Sequence, residues 1–195
     1  VGDFEGMEVV SRDSDQIPTS DAQDKDLDGK PDSWPSSWYN ENLKEYVWPG
    51  ALQQGSSNAD KEALYFMNDY SNKEFAYFPF TNNTIKKGLG LEVEVRLYQW
   101  ANPLAEDAIF LVYKISNKSD TDLDKVTFGM WGDPHVGGPG DWQDDLAFFD
   151  QPRNMVFAWD NNQIGDVPGR IPGYFGYKFL ESQELENEII NGVFY

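Results

Sequence analysis

The clearest pattern along the chain is a strict alternation of apolar and charged residues from Leu91 to Leu97. Such alternation is typical of a β-strand with one buried face and one solvent-facing side. Residues 109–115 are more apolar and predict a central strand. A polar turn over 117–124 then leads into 125–131, which predicts a third strand that completes a hairpin.

Shorter apolar segments predict further strands at 7–10, 63–67, 74–80, 146–149, 155–159 and 174–180. Pro79 confines the third of these to a sheet edge or a strand end. The acidic segment 181–190 is compatible with a short helix. Strands that recur at this spacing, with turn residues between them, predict an all-β fold: an antiparallel β-sandwich with long loops. We expect a single domain over residues 1–195, cut from or processed out of a larger protein.

The composition agrees with a β-rich chain and limits its partners. Aromatic residues make up 15% of the 195 residues, which suits strands better than helices. The formal net charge is −19, so the phosphates of a nucleic acid or an anionic membrane surface would repel the chain. Cysteine is absent, which excludes disulfides and thiolate metal sites. The chain has no run of 18 apolar residues, so the sequence does not predict membrane insertion.

A nonapeptide near the N-terminus concentrates carboxylates at alternating positions. Asp24, Asp26, Asp28 and Asp32 occupy its positions 1, 3, 5 and 9, and Gly29 occupies position 6. Alternate residues of a loop that wraps an ion point inward, and glycine allows the sharp turn between them. Without a cation the four carboxylates would repel one another, so calcium is the natural counter-charge. The alternative interpretation is an acidic, solvated turn.

This nonapeptide resembles the Asp-x-Asp-x-Asp-Gly-x-x-Asp calcium loops of thrombospondin type 3 repeats and of many secreted bacterial proteins. The resemblance implies a calcium-binding loop at 21–35, with side-chain ligands Asp24, Asp26, Asp28 and Asp32 and a carbonyl ligand from Lys30. An EF-hand is not expected, because position 12 is Pro35 instead of the bidentate glutamate and a helix cannot run through it.

A second acidic segment lies between two predicted strands and is rich in glycine. Its carboxylates are Asp133, Asp141, Asp144 and Asp145. They predict either a second calcium site that fixes the loop, or a surface loop whose aspartates cap turns and bond backbone amides.

The second segment is similar to an Asp-Pro-Asp-x-Gly loop of large secreted bacterial proteins, which are often exported with a type IX sorting domain. The matching residues are Asp133, Gly137, Asp144, Asp145 and Asp150, with Trp159-Asp160 as a following turn. His135 stands where those proteins usually have an acid. The similarity runs from about 91 to 180 and implies a surface-exposed β-sandwich module rather than a reaction.

Aromatic residues after the nonapeptide suggest a different function. Trp34, Trp38 and Tyr39 lie close together and predict either a stacking platform for sugars or a cluster that packs the loop onto its domain. The platform would make the chain a carbohydrate-binding module that takes polysaccharide.

Catalytic motifs are not apparent. His135 is the only histidine, which excludes histidine-rich zinc sites, and no Gly-x-Ser-x-Gly elbow or P-loop is present. A glycoside hydrolase fragment with two catalytic carboxylates is a further alternative. We expect a non-catalytic, secreted or cell-surface, calcium-stabilised β-sandwich of bacterial type, which serves as a structural or assembly module. Its partners would be calcium and other copies or surface proteins.

Overall fold

The computed structural model describes residues 8–9, 16–73 and 77–182. Two compact units divide the chain, Val1–Val126 and Thr127–Tyr195, and each is described by itself. The predicted helix at 181–190 lies outside the described residues except for its first two positions, and so do residues 74–76 of one predicted strand.

The first unit contains a four-stranded antiparallel sheet and a small two-stranded ribbon. The sheet has the order β1-β4-β5-β6, formed by β1 (Glu8–Val9), β4 (Lys61–Asn68), β5 (Leu91–Gln99) and β6 (Phe110–Asn117). The ribbon pairs β2 (Tyr39–Asn40) with β3 (Glu45–Tyr46), after a 3-10 turn at Ser36–Trp38.

The strand predicted from the alternation is β5, and it has buried residues on both of its faces. Val93 and Val95 are buried on one face, as expected for the apolar positions. The prediction that the charged face is exposed to solvent is wrong at Arg96, which is only 9% exposed. Arg96 is paired across the sheet with Leu64, and Leu64 belongs to the core. The charged face is covered because the core of this unit packs against it.

Three tryptophans form that core with β4. Buried Trp34, Trp48 and Leu64 make the centre, and Ala22, Trp38, Tyr46 and Phe66 pack against it. The rings of Trp34 and Trp48 lie 5.5 Å apart between centroids, and those of Trp38 and Trp48 lie 5.3 Å apart. The residues that follow the acidic nonapeptide therefore anchor it to the sheet.

The second unit is built on a three-stranded antiparallel sheet of order β7-β8-β9. Its strands are β7 (Asp145–Asp150), β8 (Met155–Asp160) and β9 (Tyr174–Lys178). A 3-10 turn at Gln151–Arg153 joins the first two, and the left-handed conformation of Asn154 (φ 48°) ends it. The register pairs Asp145 with Asp160 at the opposite end of this hairpin.

The all-β prediction is confirmed, since the described residues form three antiparallel sheets without an α-helix. The packing of the sheets as a sandwich and the single domain stay predictions. The strand predicted at 125–131 is wrong, because that segment has no strand in the structure. Alternation supplies the side-chain pattern, but a strand also needs a neighbouring strand to exchange backbone hydrogen bonds. None of the described ranges includes a helix long and apolar enough to cross a membrane.

Candidate metal-binding sites

The N-terminal acidic loop brings three carboxylates together. Asp24, Asp26 and Asp28 each offer an oxygen, and these oxygens lie within 4.8 Å of one another. Asp24 is partly buried, whereas the other two are exposed. Such a group of oxygen ligands can hold a hard metal ion.

Local hydrogen bonds fold this loop around its carboxylates. The Gly29 amide donates to Asp24 Oδ2 at 2.9 Å, and the Lys30 amide donates to Asp28 Oδ1 at 2.8 Å. Gly29 has φ +90°, a conformation that other residues rarely adopt, and a Cβ there would meet nothing within 4 Å. The glycine is therefore required by the backbone turn and not by crowding.

The last aspartate of the nonapeptide has a different place. Asp32 Oδ1 accepts a hydrogen bond from the Lys25 amide at 3.0 Å, and Asp32 lies outside the close carboxylate group. The Asp32 amide donates to the Gln23 carbonyl at 2.9 Å, so the two ends of the loop meet. Lys30, expected to contribute its carbonyl, donates its ammonium to the Trp34 carbonyl at 3.2 Å.

Both ends of the loop are attached to the sheet of the first unit. Before the loop, Thr19 forms a β-bridge with Ala63 of β4, and the Ser20 amide donates to the Glu62 carbonyl at 2.8 Å. After the loop, Trp34 enters the core, and its indole N–H donates to the Thr19 carbonyl at 2.8 Å. The nonapeptide is thus a short loop, and contacts with the sheet and the core hold the chain on both sides of it.

A second group of carboxylates lies at one end of the β7–β8 hairpin. Oxygens of Asp141, Asp144 and Asp160 lie within 4.8 Å of one another. Asp160, the last residue of β8, is only 3% exposed. The other two are partly buried in the loop that precedes β7.

Backbone amides orient several carboxylates at this end of the hairpin. The Asn162 amide donates to Asp144 Oδ2 at 3.1 Å, and the Gln163 amide donates to Asp160 Oδ1. The Val136 amide donates to Asp145 Oδ2 at 2.9 Å. These bonds fix one oxygen of each carboxylate.

The crowding of negative charge affects the pKa of Asp141, which is raised to about 6. The largest cause is the hydrogen bond that a protonated Asp141 makes to Asp160, followed by burial and by the charges of Asp160, Asp144 and Asp166. With every carboxylate ionised, Asp141 and Asp160 offer only acceptors to each other, so that bond exists only when a proton is shared.

The sequence-predicted residues of the second site are divided by the structure. Asp141 and Asp144 belong to the close group, and Asp145 lies at the start of β7, directly opposite Asp160. Asp133 lies outside the group, and its carboxylate is 3.7 Å from the ring of exposed His135. The similarity of the second acidic segment places Asp160 only in a turn, although its position directly after the predicted strand 155–159 indicates that it could reach the loop.

The aromatic residues of the suggested sugar platform lie in different environments. Trp34 is buried in the core, Trp38 is partly buried against it, and Tyr39 is 38% exposed. The ring of Tyr39 packs edge-on against Tyr46, with centroids 5.2 Å apart. This arrangement corresponds to a cluster that packs the loop onto its domain.

Comparisons of this chain with protein-family models, with curated proteins and with solved structures find no match. The function is therefore inferred from the geometry of the two carboxylate groups. Groups that contain only carboxylate oxygens, without histidine or cysteine, suit hard cations better than zinc or copper.

Proposed function

We propose that this chain is a non-catalytic, calcium-stabilised β module of a secreted or cell-surface protein, with a structural or assembly role. The observation that carries the proposal is the approach of Asp24, Asp26 and Asp28 to within 4.8 Å of one another in a loop anchored to the core. An ion held there would stabilise the fold because the unfolded chain does not preform the site.

Only a few residues separate the loop carboxylates from residues that are anchored to the sheet or buried in the core. Asp24 lies five residues after Thr19, which is bridged to β4, and Asp28 lies six residues before the buried Trp34. Cation binding would restrain the loop between these two anchors. The expected result is a more stable first unit.

Calcium fits the loop better than magnesium. Two of the three close carboxylates are exposed, and the loop is held by local amide hydrogen bonds. Calcium accepts six to eight oxygens in flexible geometry, whereas magnesium requires a near-ideal octahedron. The remaining ligands would be backbone carbonyls, including that of Lys30, and water.

An extracellular location agrees with a largely exposed site, for which we expect the affinity of extracellular calcium modules, about 10⁻⁴–10⁻³ M. Resemblance of the nonapeptide and of the second acidic segment to parts of secreted bacterial proteins supports the same location. The high negative charge of −19 gives calcium the further role of reducing repulsion.

The test is a thermal melt of the purified chain in millimolar calcium and in excess EGTA. For a Kd of about 10⁻⁴ M, binding only to the folded state adds about 1.4 kcal/mol at 1 mM calcium and about 2.7 kcal/mol at 10 mM, which is a hundredfold above Kd. For a chain of this length each kcal/mol raises Tm by about 2–4 °C. We expect Asp26→Asn to lose most of the calcium-dependent shift that belongs to the first unit, because it removes one ligand charge and keeps the shape.

A matched control is Asp107→Asn, which removes one exposed negative charge outside both carboxylate groups. It should keep the full calcium-dependent shift. Equal melts of the wild-type chain in calcium and in EGTA would refute a structural calcium ion. An assembly role is tested by sedimentation velocity in the same two buffers, where calcium should increase the sedimentation coefficient.

A further inference from the structure

Three oxygens at the end of the β7–β8 hairpin are buried and, when the carboxylates are ionised, accept no hydrogen bond from the residues that the structure describes. They are Asp141 Oδ2, Asp145 Oδ1 and Asp160 Oδ2. A buried charged oxygen without a partner is strongly unfavourable, so native structures satisfy such groups with a donor or a cation. Three of them at one place require a common explanation.

Turn capping accounts for only one oxygen of Asp145 and one of Asp160. Amide donors from Val136 and Gln163 occupy Asp145 Oδ2 and Asp160 Oδ1, while the other oxygen of each aspartate stays without a donor. This division is typical of metal ligands, in which outer hydrogen bonds orient a carboxylate and its second oxygen binds the ion.

The hairpin register brings these oxygens to one side of the sheet. Asp145 and Asp160 are directly paired across β7 and β8, so their side chains project from the same face. Asp141 and Asp144 reach the same place from the preceding loop, within 4.8 Å of an Asp160 oxygen. The ligands therefore come from two segments that are distant in sequence.

Gly137 lets the backbone pass next to the carboxylates. A Cβ at this residue would lie 2.6 Å from Asp141 Oδ2 and 3.2 Å from Asp160 Oδ2, and its φ is +89°. The Gly137 carbonyl is held by the Asp166 amide at 2.8 Å. Main chain, rather than a side-chain donor, thus covers the carboxylate group.

From these observations we propose that Asp141, Asp144 and Asp160 bind a calcium ion, with Asp145 as a fourth carboxylate ligand. The site belongs to the second unit and goes beyond the proposed N-terminal loop site, on which it does not depend. Its ligand set includes Asp145, which has a buried oxygen without a donor, and omits Asp133, which is exposed and lies outside the close group. The oxygen-only ligands exclude a preference for soft metals.

Isothermal titration of the metal-stripped full chain with calcium chloride at pH 7 tests this site. We expect two ions per wild-type chain and one per chain for Asp160→Asn. Asp141→Asn, which removes a different ligand, should also bind one. Asp133→Asn makes the same change of charge in the same loop outside the group and should still bind two.

The N-terminal site is distinguished by Asp26→Asn, which should lose one ion, and by Asp26→Asn/Asp160→Asn, which should bind none. If Asp26→Asn binds as many ions as wild type while Asp160→Asn loses one, the loop site fails and the hairpin site stands. If Asp160→Asn and Asp141→Asn both bind as many ions as wild type, the hairpin site is overturned. A wild-type chain that binds no calcium would overturn both.

Melts in EGTA provide a second readout that a purely structural carboxylate would not give. Removing one charge from the crowded group relieves repulsion, so Asp160→Asn and Asp141→Asn should melt at or above the wild-type temperature without calcium. In calcium they should melt below it. A lower melting temperature in both buffers, with unchanged stoichiometry, would assign these aspartates to turn capping alone and overturn the proposal.

Discussion

The buried ion pair between Glu62 and Arg96 lends itself to a decisive substitution, Arg96→Met. Glu62 is fully buried, and its Oε1 accepts a hydrogen bond from Arg96 at 2.6 Å. The other oxygen accepts the Trp48 indole N–H at 3.0 Å. Arg96 also donates to the Pro49 carbonyl at 2.9 Å, so one guanidinium joins two strands and a loop.

The expected cost follows from what remains after the substitution. Methionine fills much of the space of the arginine side chain, but it leaves the carboxylate of Glu62 buried with only neutral partners, the Trp48 indole N–H and the Tyr98 hydroxyl. Glu94 also loses its ion pair with Arg96. Removal of one partner from a buried ion pair costs about 3–5 kcal/mol. With an m-value of about 2 kcal/mol per molar urea, the midpoint of unfolding should fall by about 1.5–2.5 M.

Urea unfolding followed by tryptophan fluorescence measures this loss, because Trp48 donates to Glu62 and the rings of Trp34 and Trp38 pack against Trp48. The double variant Glu62→Gln/Arg96→Met removes both charges and should recover part of the stability. An exposed pair serves as the control: Glu41 and Lys44 are 3.0 Å apart with side chains more than 70% exposed, and Glu41→Gln should cost less than about 1 kcal/mol.

Two results would refute this reasoning. An Arg96→Met variant as stable as Glu41→Gln would show that Glu62 does not depend on the guanidinium. A double variant as unstable as Arg96→Met would show that lost packing, and not an unpaired charge, causes the effect.

The remaining predictions concern two aspartates that hold loops of the first unit. The buried Asp69 carboxylate accepts the amides of residues 89, 90 and 91 at 2.6, 3.1 and 2.9 Å, so Asp69→Ala should cost about 2–4 kcal/mol in urea unfolding. Asp69→Asn should cost less, and equal losses for both variants would contradict this account. The hydroxyl and amide of Thr81 hold the pKa of Asp120 below its ordinary value, so Asp120 stabilises the fold at neutral pH and loses that effect as pH falls through the lowered pKa. Thr81→Ala should raise the pKa of Asp120 in a carboxyl NMR titration. The free energy of unfolding of this variant should approach that of the wild type as pH falls. A difference in unfolding free energy that stays constant with pH would exclude this linkage.

The sequence by itself determined the features that depend on neighbours along the chain. Alternation predicted the strand that became β5, and the spacing of Asp24, Asp26 and Asp28 predicted their approach within one loop. Both results need only local geometry, since side chains alternate along a strand and a glycine turn folds a short loop on itself.

Tertiary structure decided the features that depend on pairing between distant segments. Asp160 joins Asp141 and Asp144 only because the β7–β8 register places it opposite Asp145. Asp133, a carboxylate of the same acidic segment, lies outside the group.

The same cause explains two errors of the sequence analysis. Arg96 has the pattern of an exposed residue, yet the tryptophan core covers its face of the sheet and Glu62 neutralises it. Residues 125–131 have the pattern of a strand but form none. A side-chain pattern reports which faces a strand would have, whereas packing and hydrogen-bonding partners decide what each face meets.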